Sequence, residues 1–301
     1  MQRPHSGLLR LVLRSALLLL ALTPCRCPAA PVMRVMTYNI RYDNPADGAD
    51  VWANRRDFVA SLIRYHRPQI IGTQEALRNQ LADLSERLPA YHWCGAGRDD
   101  GHELGEYCAI FYDTTAIRRL RDSTFWLSPT PALPSKGWDA ALNRICTWAE
   151  FADRETGQRF VVMNTHFDHL GEQARAASAE LLKAQASTLA GPLPVIVLGD
   201  FNATPADAPI TILLDQARQS PPALLLADAR AVTRTQPHGP PATFQGFDVH
   251  NPRNQSQIDF IFVRIGMSVL AHATLTDFKP DLRFPSDHLP VIAEIELGPS
   301  K

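Results

Sequence analysis

Pro194 to Leu198 (PVIVL) is a continuous apolar run of strand length, and Gly199-Asp200-Phe201-Asn202 follows it with no spacer. A strand without a polar residue has no face for water, so it belongs inside a sheet that is covered on both sides. Its end then carries a carboxylate and an amide, two residues apart, at the edge of a dry interior. An unpaired buried charge costs on the order of several kcal/mol, so these groups must be paired or functional.

Strand-like segments recur along the chain. Met33 to Ile40 (MRVMTYNI) and Ile70 to Gln74 read as strands, 91–96 and 107–112 flank a Gly- and Asp-rich loop and predict an antiparallel hairpin, and 143–151, 159–167, 258–263 and 291–297 repeat the signal. Two stretches have helical spacing. One is 51–66, with Phe58, Val59, Leu62 and Ile63 on one side; the other is 172–190, ended by Gly191-Pro192. Many strands and few helices predict sheet packed on sheet with helices outside. With 301 residues, 45% hydrophobic and 20% charged, the chain can bury one large core, and no repeat, charge block or low-complexity linker divides it.

The N-terminus has a different character. Arg3, Arg10 and Arg14 precede the apolar Ser15 to Leu22, with Pro24 beyond, which is the layout of a secretory signal peptide. The apolar run is shorter than the ~20 residues of a spanning helix. Residues 1–29 are therefore expected to be cleaved off after Ala29, leaving an exported domain over 30–301, periplasmic or extracellular, with no stable membrane anchor. Cleavage removes Arg3, Arg10, Arg14 and Arg26 and no acid, so 26 basic residues face 31 acidic ones, a net charge of −5. A chain that grips a nucleic-acid backbone ordinarily carries a basic excess or basic runs, because each neutralised phosphate adds affinity through counterion release. Neither is present. Cys94, Cys108 and Cys146 are too few for a disulfide-built fold and wrongly spaced for zinc. With the hairpin centred on Gly101, Cys94 and Cys108 face each other, which leaves a disulfide or two free thiols as the alternatives.

Polar groups collect at the strand ends. Asn39 ends the first strand and Glu75 follows the second. Asn164-Thr165-His166-Phe167-Asp168 puts amide, imidazole and carboxylate on alternating residues, hence toward one side. Asp259 is embedded in Ile258-Asp259-Phe260-Ile261-Phe262, and Asp287-His288 lies between Pro285-Ser286 and Leu289-Pro290. Taken singly, Asn39 and Glu75 read as solvated loop residues, His166 as a structural histidine and Asp259 as a carboxylate satisfied by backbone amides.

Their order changes that reading. Asn39, Gln74-Glu75, Asn164-x-His166, Gly199-Asp200-x-Asn202, Ile258-Asp259-Phe260 and Ser286-Asp287-His288 together resemble the endonuclease/exonuclease/phosphatase family, over about Val32 to Glu296. Trp126-Leu127-Ser128, Gly137-Trp138-Asp139 and Arg144-Ile145-Cys146-Thr147-Trp148 resemble a bacterial branch of it. The resemblance implies a four-layer α/β/β/α sandwich, two packed and mostly antiparallel sheets flanked by helices, with the site at one end of the sheets. It also implies roles. Glu75 would be a direct metal ligand, with Asn39 at the metal and Asp287 reaching it or orienting His288. Asp200 would manage the proton of the attacking water, Asn202 and His166 would hold phosphate oxygens, and Asp259 would fix His288 or sit near the metal. Asn164 and Arg144 are expected at the substrate, Arg144 because its planar fork matches two phosphate oxygens; a salt bridge near Trp148 is its other reading.

Such a set suits hydrolysis of an anionic ester. Hard oxygen ligands hold Mg²⁺, with Mn²⁺ as a substitute, and the ion offsets the charge that repels the nucleophile. Imidazolium and amide donors stabilise the charged oxygens, and a carboxylate orients the water. Fold leaves the substrate open. A phosphorylated small molecule fits the acidic exported chain, acting as a monomer. Nuclease action, including 3′-exonuclease action, is the alternative, while lipid cleavage and a binding module on an inactive fold are less consistent with the residues.

Overall fold

A computed structural model describes Met1 and residues 32–215, 224–250 and 256–298. The expected signal segment, apart from Met1, lies outside the described residues. The strands are β1 (Val32–Asn39), β2 (Ile70–Gln74), β3 (Tyr91–Cys94), β4 (Ile110–Asp113), β5 (Ile117–Trp126), β6 (Ile145–Asp153), β7 (Arg159–His166), β8 (Val195–Asp200), β9 (Leu226–Asp228), β10 (Asp259–Arg264), β11 (Ser268–Thr274) and β12 (Val291–Glu296). The helices are α1 (Arg56–His66), α2 (Arg78–Arg87), α3 (Glu172–Ala190), α4 (Ala208–Leu214) and α5 (Ala229–Val232).

The strands form two six-stranded sheets, ordered β11-β12-β1-β2-β4-β3 and β5-β6-β7-β8-β10-β9. Only β1 with β2 and β7 with β8 run parallel among the strand pairs. The apolar run that ends at Leu198 shows why the sheets stack. Ile196 and Leu198 face the other sheet, packing in one cluster with Val35, Ile70, Ile110 and Ile295. Val195 and Val197 face outward, packing with Ala179, Leu182 and Ala186 of α3 and Ile210 and Leu213 of α4. On the far side of the first sheet, Met36, Tyr38 and Ile71 pack against Val59, Leu62 and Ile63 of α1 and Leu81 and Leu84 of α2. Helix, sheet, sheet and helix are thus four layers, as expected. Gly72 marks a close approach of the sheets, since a Cβ there would lie 1.9 Å from Leu198 Cδ1 and 2.7 Å from Asn164 Cγ.

Most boundaries fall near those expected, with three differences. The stretch read as one helix over 51–66 opens with 3₁₀ turns at Pro45–Asp50 and Trp52–Asn54, and α1 begins at Arg56. The helix ends on Arg67, at φ 49°, directly before Pro68. The strands β5 and β11, both sheet edges, are not among those expected; in β5, Arg118 to Ser123 are exposed, as edge strands with charged side chains commonly are. In the hairpin, Cys94 pairs with Ile110, two residues beyond the position expected from a turn at Gly101, so Cys94 and Cys108 do not face each other. Both are buried free thiols, and burial pushes each up to about 12.

Candidate active site

The register of the parallel pairs brings the polar strand ends to one edge of the sandwich. Asn39 lies beside Gln74 at the ends of β1 and β2, and His166 beside Asp200 at the ends of β7 and β8. The antiparallel strand β10 begins there, with Asp259 opposite Asp200. The loop before β12 delivers Asp287 and His288, fixed by the Ser286 hydroxyl, which donates to the Asn39 carbonyl at 2.7 Å.

Asp200 is the centre of the cluster. It is buried, and its Oδ2 accepts from Asn39 Nδ2 at 3.0 Å and lies 3.5 Å from His166 Nε2 and 3.7 Å from His288 Nε2. Its Oδ1 accepts from the Asn202 amide at 2.9 Å, a turn that Asn202 closes at φ 46°. Burial and the neighbouring Asp259 push the Asp200 carboxyl up to about 7, against the pull of His288 and of the donors from Asn202 and Asn39. His288 is bonded through Nδ1 to Asp259 Oδ2 at 2.9 Å. Burial disfavours its charge, but Asp259 and Asp200 outweigh burial and push it up to about 10, so it is an imidazolium at neutral pH.

His166 is different. Asn202 Nδ2 donates to the Phe167 carbonyl at 3.0 Å and lies 3.0 Å from His166 Nε2, which makes that nitrogen an acceptor. Burial, Arg144 and Arg98 hold this imidazole well below its ordinary value. His166 is therefore neutral and protonated at Nδ1, and the expectation of two imidazolium donors is corrected to one.

Asn39, expected at the metal, holds the carboxylates together: its Nδ2 bridges Glu75 Oε1 and Asp200 Oδ2, each at 3.0 Å, while the Arg41 amide donates to its Oδ1 at 3.0 Å and takes one of that oxygen's two lone pairs. One other expectation changes. Asn164, expected at the substrate, is fully buried and ties the sheets together: Nδ2 donates to the carbonyls of Thr73 and Ala109, both at 2.9 Å, and Oδ1 accepts from Gln74 Nε2 at 2.7 Å. All its hydrogen-bonding groups are committed. Asn164→Ala should lower the urea midpoint by the equivalent of about 1–3 kcal/mol while KM stays near its native value; a raised KM at native stability would restore the substrate role.

Arg144 forms a salt bridge, with Asp168. Its Nε donates to Asp168 Oδ1 at 3.1 Å, and Trp148 is covered by Arg121 instead. Despite burial, the amides of Gly171, Ala141 and Leu170 and the Arg144 guanidinium hold the Asp168 carboxyl well below the usual range.

Glu75, at φ 62°, accepts from the Tyr42 amide at 3.1 Å, and its Oε2 lies 3.9 Å from Arg41 Nη1. Asp287 Oδ2 lies 3.9 Å from Arg41 Nε, and burial together with repulsion from Glu75 raises its pKa against the attraction of His288 and Arg41. Arg41 was not singled out in the sequence. Its fork is spent on Asp47, two bonds of 3.0 Å, so it neutralises Glu75 and Asp287 only at a distance. Arg55 was missed too: fully buried, it donates to the carbonyls of Asp50, Ile40, Pro285 and Arg41 and so ties together the loops that carry Arg41 and Asp287. A cation at a helix start reads as solvated, so nothing local marks it.

The donor set fits a hard cation. Glu75 and Asp287 are carboxylates close enough to repel each other, and Arg41 stands 3.9 Å from each while bonded to Asp47, so their oxygens remain for an ion; in the tighter group of Asp200, Asp259 and His288 the imidazolium has no lone pair to offer.

A sequence model of the endonuclease/exonuclease/phosphatase family matches residues 36–288. The chain belongs to this family. A structure of a family protein from Bacteroides thetaiotaomicron superposes with a TM-score of 0.83 at 37% identity, covering 88% of this chain and 98% of that one. A mannosyl-6-phosphatase from the same organism superposes at 0.81 and 37% identity, covering 87% and 99%. An uncharacterised protein of Acanthamoeba polyphaga mimivirus is 29% identical over 158 residues, half of this chain and 59% of the viral protein's length. Members of the family are phosphoester hydrolases that generally use divalent metal ions.

Proposed function

We propose that the chain is a metal-dependent phosphatase of small phosphorylated metabolites, exported from the cell, with Mg²⁺ as its ion. The observation that carries this reading is the placement of Asp200 between a cationic His288 and a neutral His166, three groups with separate tasks around one point. Asp200 accepts the proton of the attacking water. His288, kept charged by Asp259, donates to a phosphoryl oxygen as negative charge grows there. Asn202 holds the acceptor nitrogen of His166, so His166 can orient the water or an ester hydroxyl but cannot add charge. Glu75 and Asp287 would hold the ion, because neither has a close cationic partner, and Asn39 keeps Glu75 against Asp200. A bound divalent ion offsets the charge of the ester.

A monoester of a small molecule suits one charged pocket on an acidic chain, whose exposed arginines on β5 are partly spent on acids, Arg119 on Asp122 and Arg121 on Glu150. The likeness to a mannosyl-6-phosphatase supports the same direction. Residues 30–301 should lose activity in EDTA and regain it with Mg²⁺ or Mn²⁺, and in a panel of sugar phosphates, nucleotides, a diester dye, RNA and DNA the monoesters should turn over fastest. Undiminished turnover after exhaustive chelation would remove the metal, and preference for RNA or DNA would replace the phosphatase with a nuclease.

A further inference from the structure

Beside the cluster at Asp200, two buried arginines each keep one donor unused. Arg98 and Arg144 are 9% and 4% exposed, and Arg98 Nε and Arg144 Nη1 have no hydrogen-bond partner among the described residues. The remainder of each fork is fixed. Arg98 Nη1 donates to Glu106 Oε2 at 2.7 Å, while Arg144 is held by Asp168 and lies 2.9 Å through Nη2 from His169 Nδ1. The loop is pinned as well, because the Arg98 carbonyl accepts from the Trp126 indole at 2.7 Å and from Asn143 Nδ2 at 3.3 Å. A buried charged donor with its bond unmade is more costly than a neutral one. Arg98 Nε has the Asp99 carboxylate nearby, but Oδ1 at 4.0 Å is beyond hydrogen-bond reach, so both donors stay open to an oxygen.

Both arginines line one cavity of about 10 Å³, together with Glu106, Cys108, Asn143 and His166, a volume that takes a single water-sized group. His166 connects it to the reaction centre, with Nε2 3.5 Å from Asp200 Oδ2 and Nδ1 3.9 Å from Glu106 Oε2. The chemistry of the lining selects among oxygens. A carboxylate or second phosphoryl oxygen would bring negative charge against Glu106. A hydroxyl has two lone pairs for the two guanidinium N–H groups and one O–H for the Glu106 carboxylate, which matches the donors and acceptor present.

We propose that Arg98, Glu106 and Arg144 form a hydroxyl-reading subsite, so that the preferred substrate is the phosphate ester of a polyol with a free hydroxyl near the ester. The proposal rests on the phosphatase reading above. The cavity admits the hydroxyl and excludes a bulkier substituent at that carbon.

Sorbitol 6-phosphate and hexyl phosphate test it, since they share chain length and differ in hydroxyls. Wild-type protein should favour sorbitol 6-phosphate in kcat/KM by at least about tenfold, the discrimination expected when charged donors lose one hydrogen-bonding partner. Arg98→Met should reduce the ratio of the two kcat/KM values about tenfold, and Glu106→Gln should reduce it in the same direction. Arg98→Lys, which keeps the charge but not the planar fork, carries the same comparison if the methionine variant does not fold. Equal efficiency on both esters in the wild type, or an unchanged ratio in a folded Arg98 variant, overturns the subsite alone. Hydrolysis of neither monoester overturns the phosphatase reading and the subsite with it.

Discussion

Asp200→Asn is expected to lower kcat by roughly 10²–10⁴ with little change in KM. The carboxylate is reached by four polar groups, and none of them can replace it as a base: Asn39 and Asn202 give it donors, His288 is already protonated, and His166 has its Nε2 lone pair engaged by Asn202. The amide removes the proton acceptor and leaves the volume nearly unchanged, so substrate binding, which depends on His288 and the carboxylates at the ion, should persist. The pH dependence separates this role from a structural one. A base raised to about 7 becomes competent as pH rises through that value, so wild-type kcat/KM should climb on this limb and the Asn variant should show no such climb. Near-native kcat in the Asn variant, with circular dichroism unchanged, would move the base elsewhere.

What could be read in advance depended on whether a residue's neighbours in sequence are also its neighbours in space. The strand ending at Asp200 was legible because its burial on both faces is written in consecutive residues, Val195 and Val197 for one face and Ile196 and Leu198 for the other. Order and spacing likewise placed Asn39, Glu75, His166, Asp200, Asp259 and His288 at strand ends, and parallel pairing then sets them at one edge. Asn164 shows the limit. Its alternation with His166 was read as a shared face, but its partners are Thr73, Gln74 and Ala109 on the other sheet, and no local pattern records how closely the sheets approach at Gly72. Arg55 is another case, with acceptors at Ile40, Arg41, Asp50 and Pro285. The protonation of His166 was also out of reach. It depends on burial, on the charges of Arg144 and Arg98, and on the Asn202 amide beside the ring, whereas adjacency of a histidine to an acid in sequence, as in Asp287-His288, is uninformative; the acid that bonds His288 is Asp259.

That last pair carries the other large effect. His288→Gln should cost about 2.7–4 kcal/mol of transition-state stabilisation, read as the loss in kcat/KM, because a glutamine amide can donate to a phosphoryl oxygen but brings no charge. Asp259→Asn should act through His288. The imidazolium persists because Asp259 and Asp200 together outweigh the cost of burial, and Asp259 is the larger of the two contributions and the one bonded to Nδ1. A charged histidine with its pKa raised to about 10 stays active at neutral pH and is lost as pH rises through that value, so the wild-type profile should fall on the alkaline side near 10. With Asp259 neutralised, burial is opposed only by Asp200 and the weaker pull of Asp287, so the falling limb should move toward acid. The same change relieves Asp200 of its anionic neighbour, so the rising limb should also move toward acid. Full pH profiles of both variants therefore test one electrostatic triangle: an alkaline limb that stays in place in Asp259→Asn, or persists in His288→Gln, would mean that another group donates to the phosphoryl oxygen.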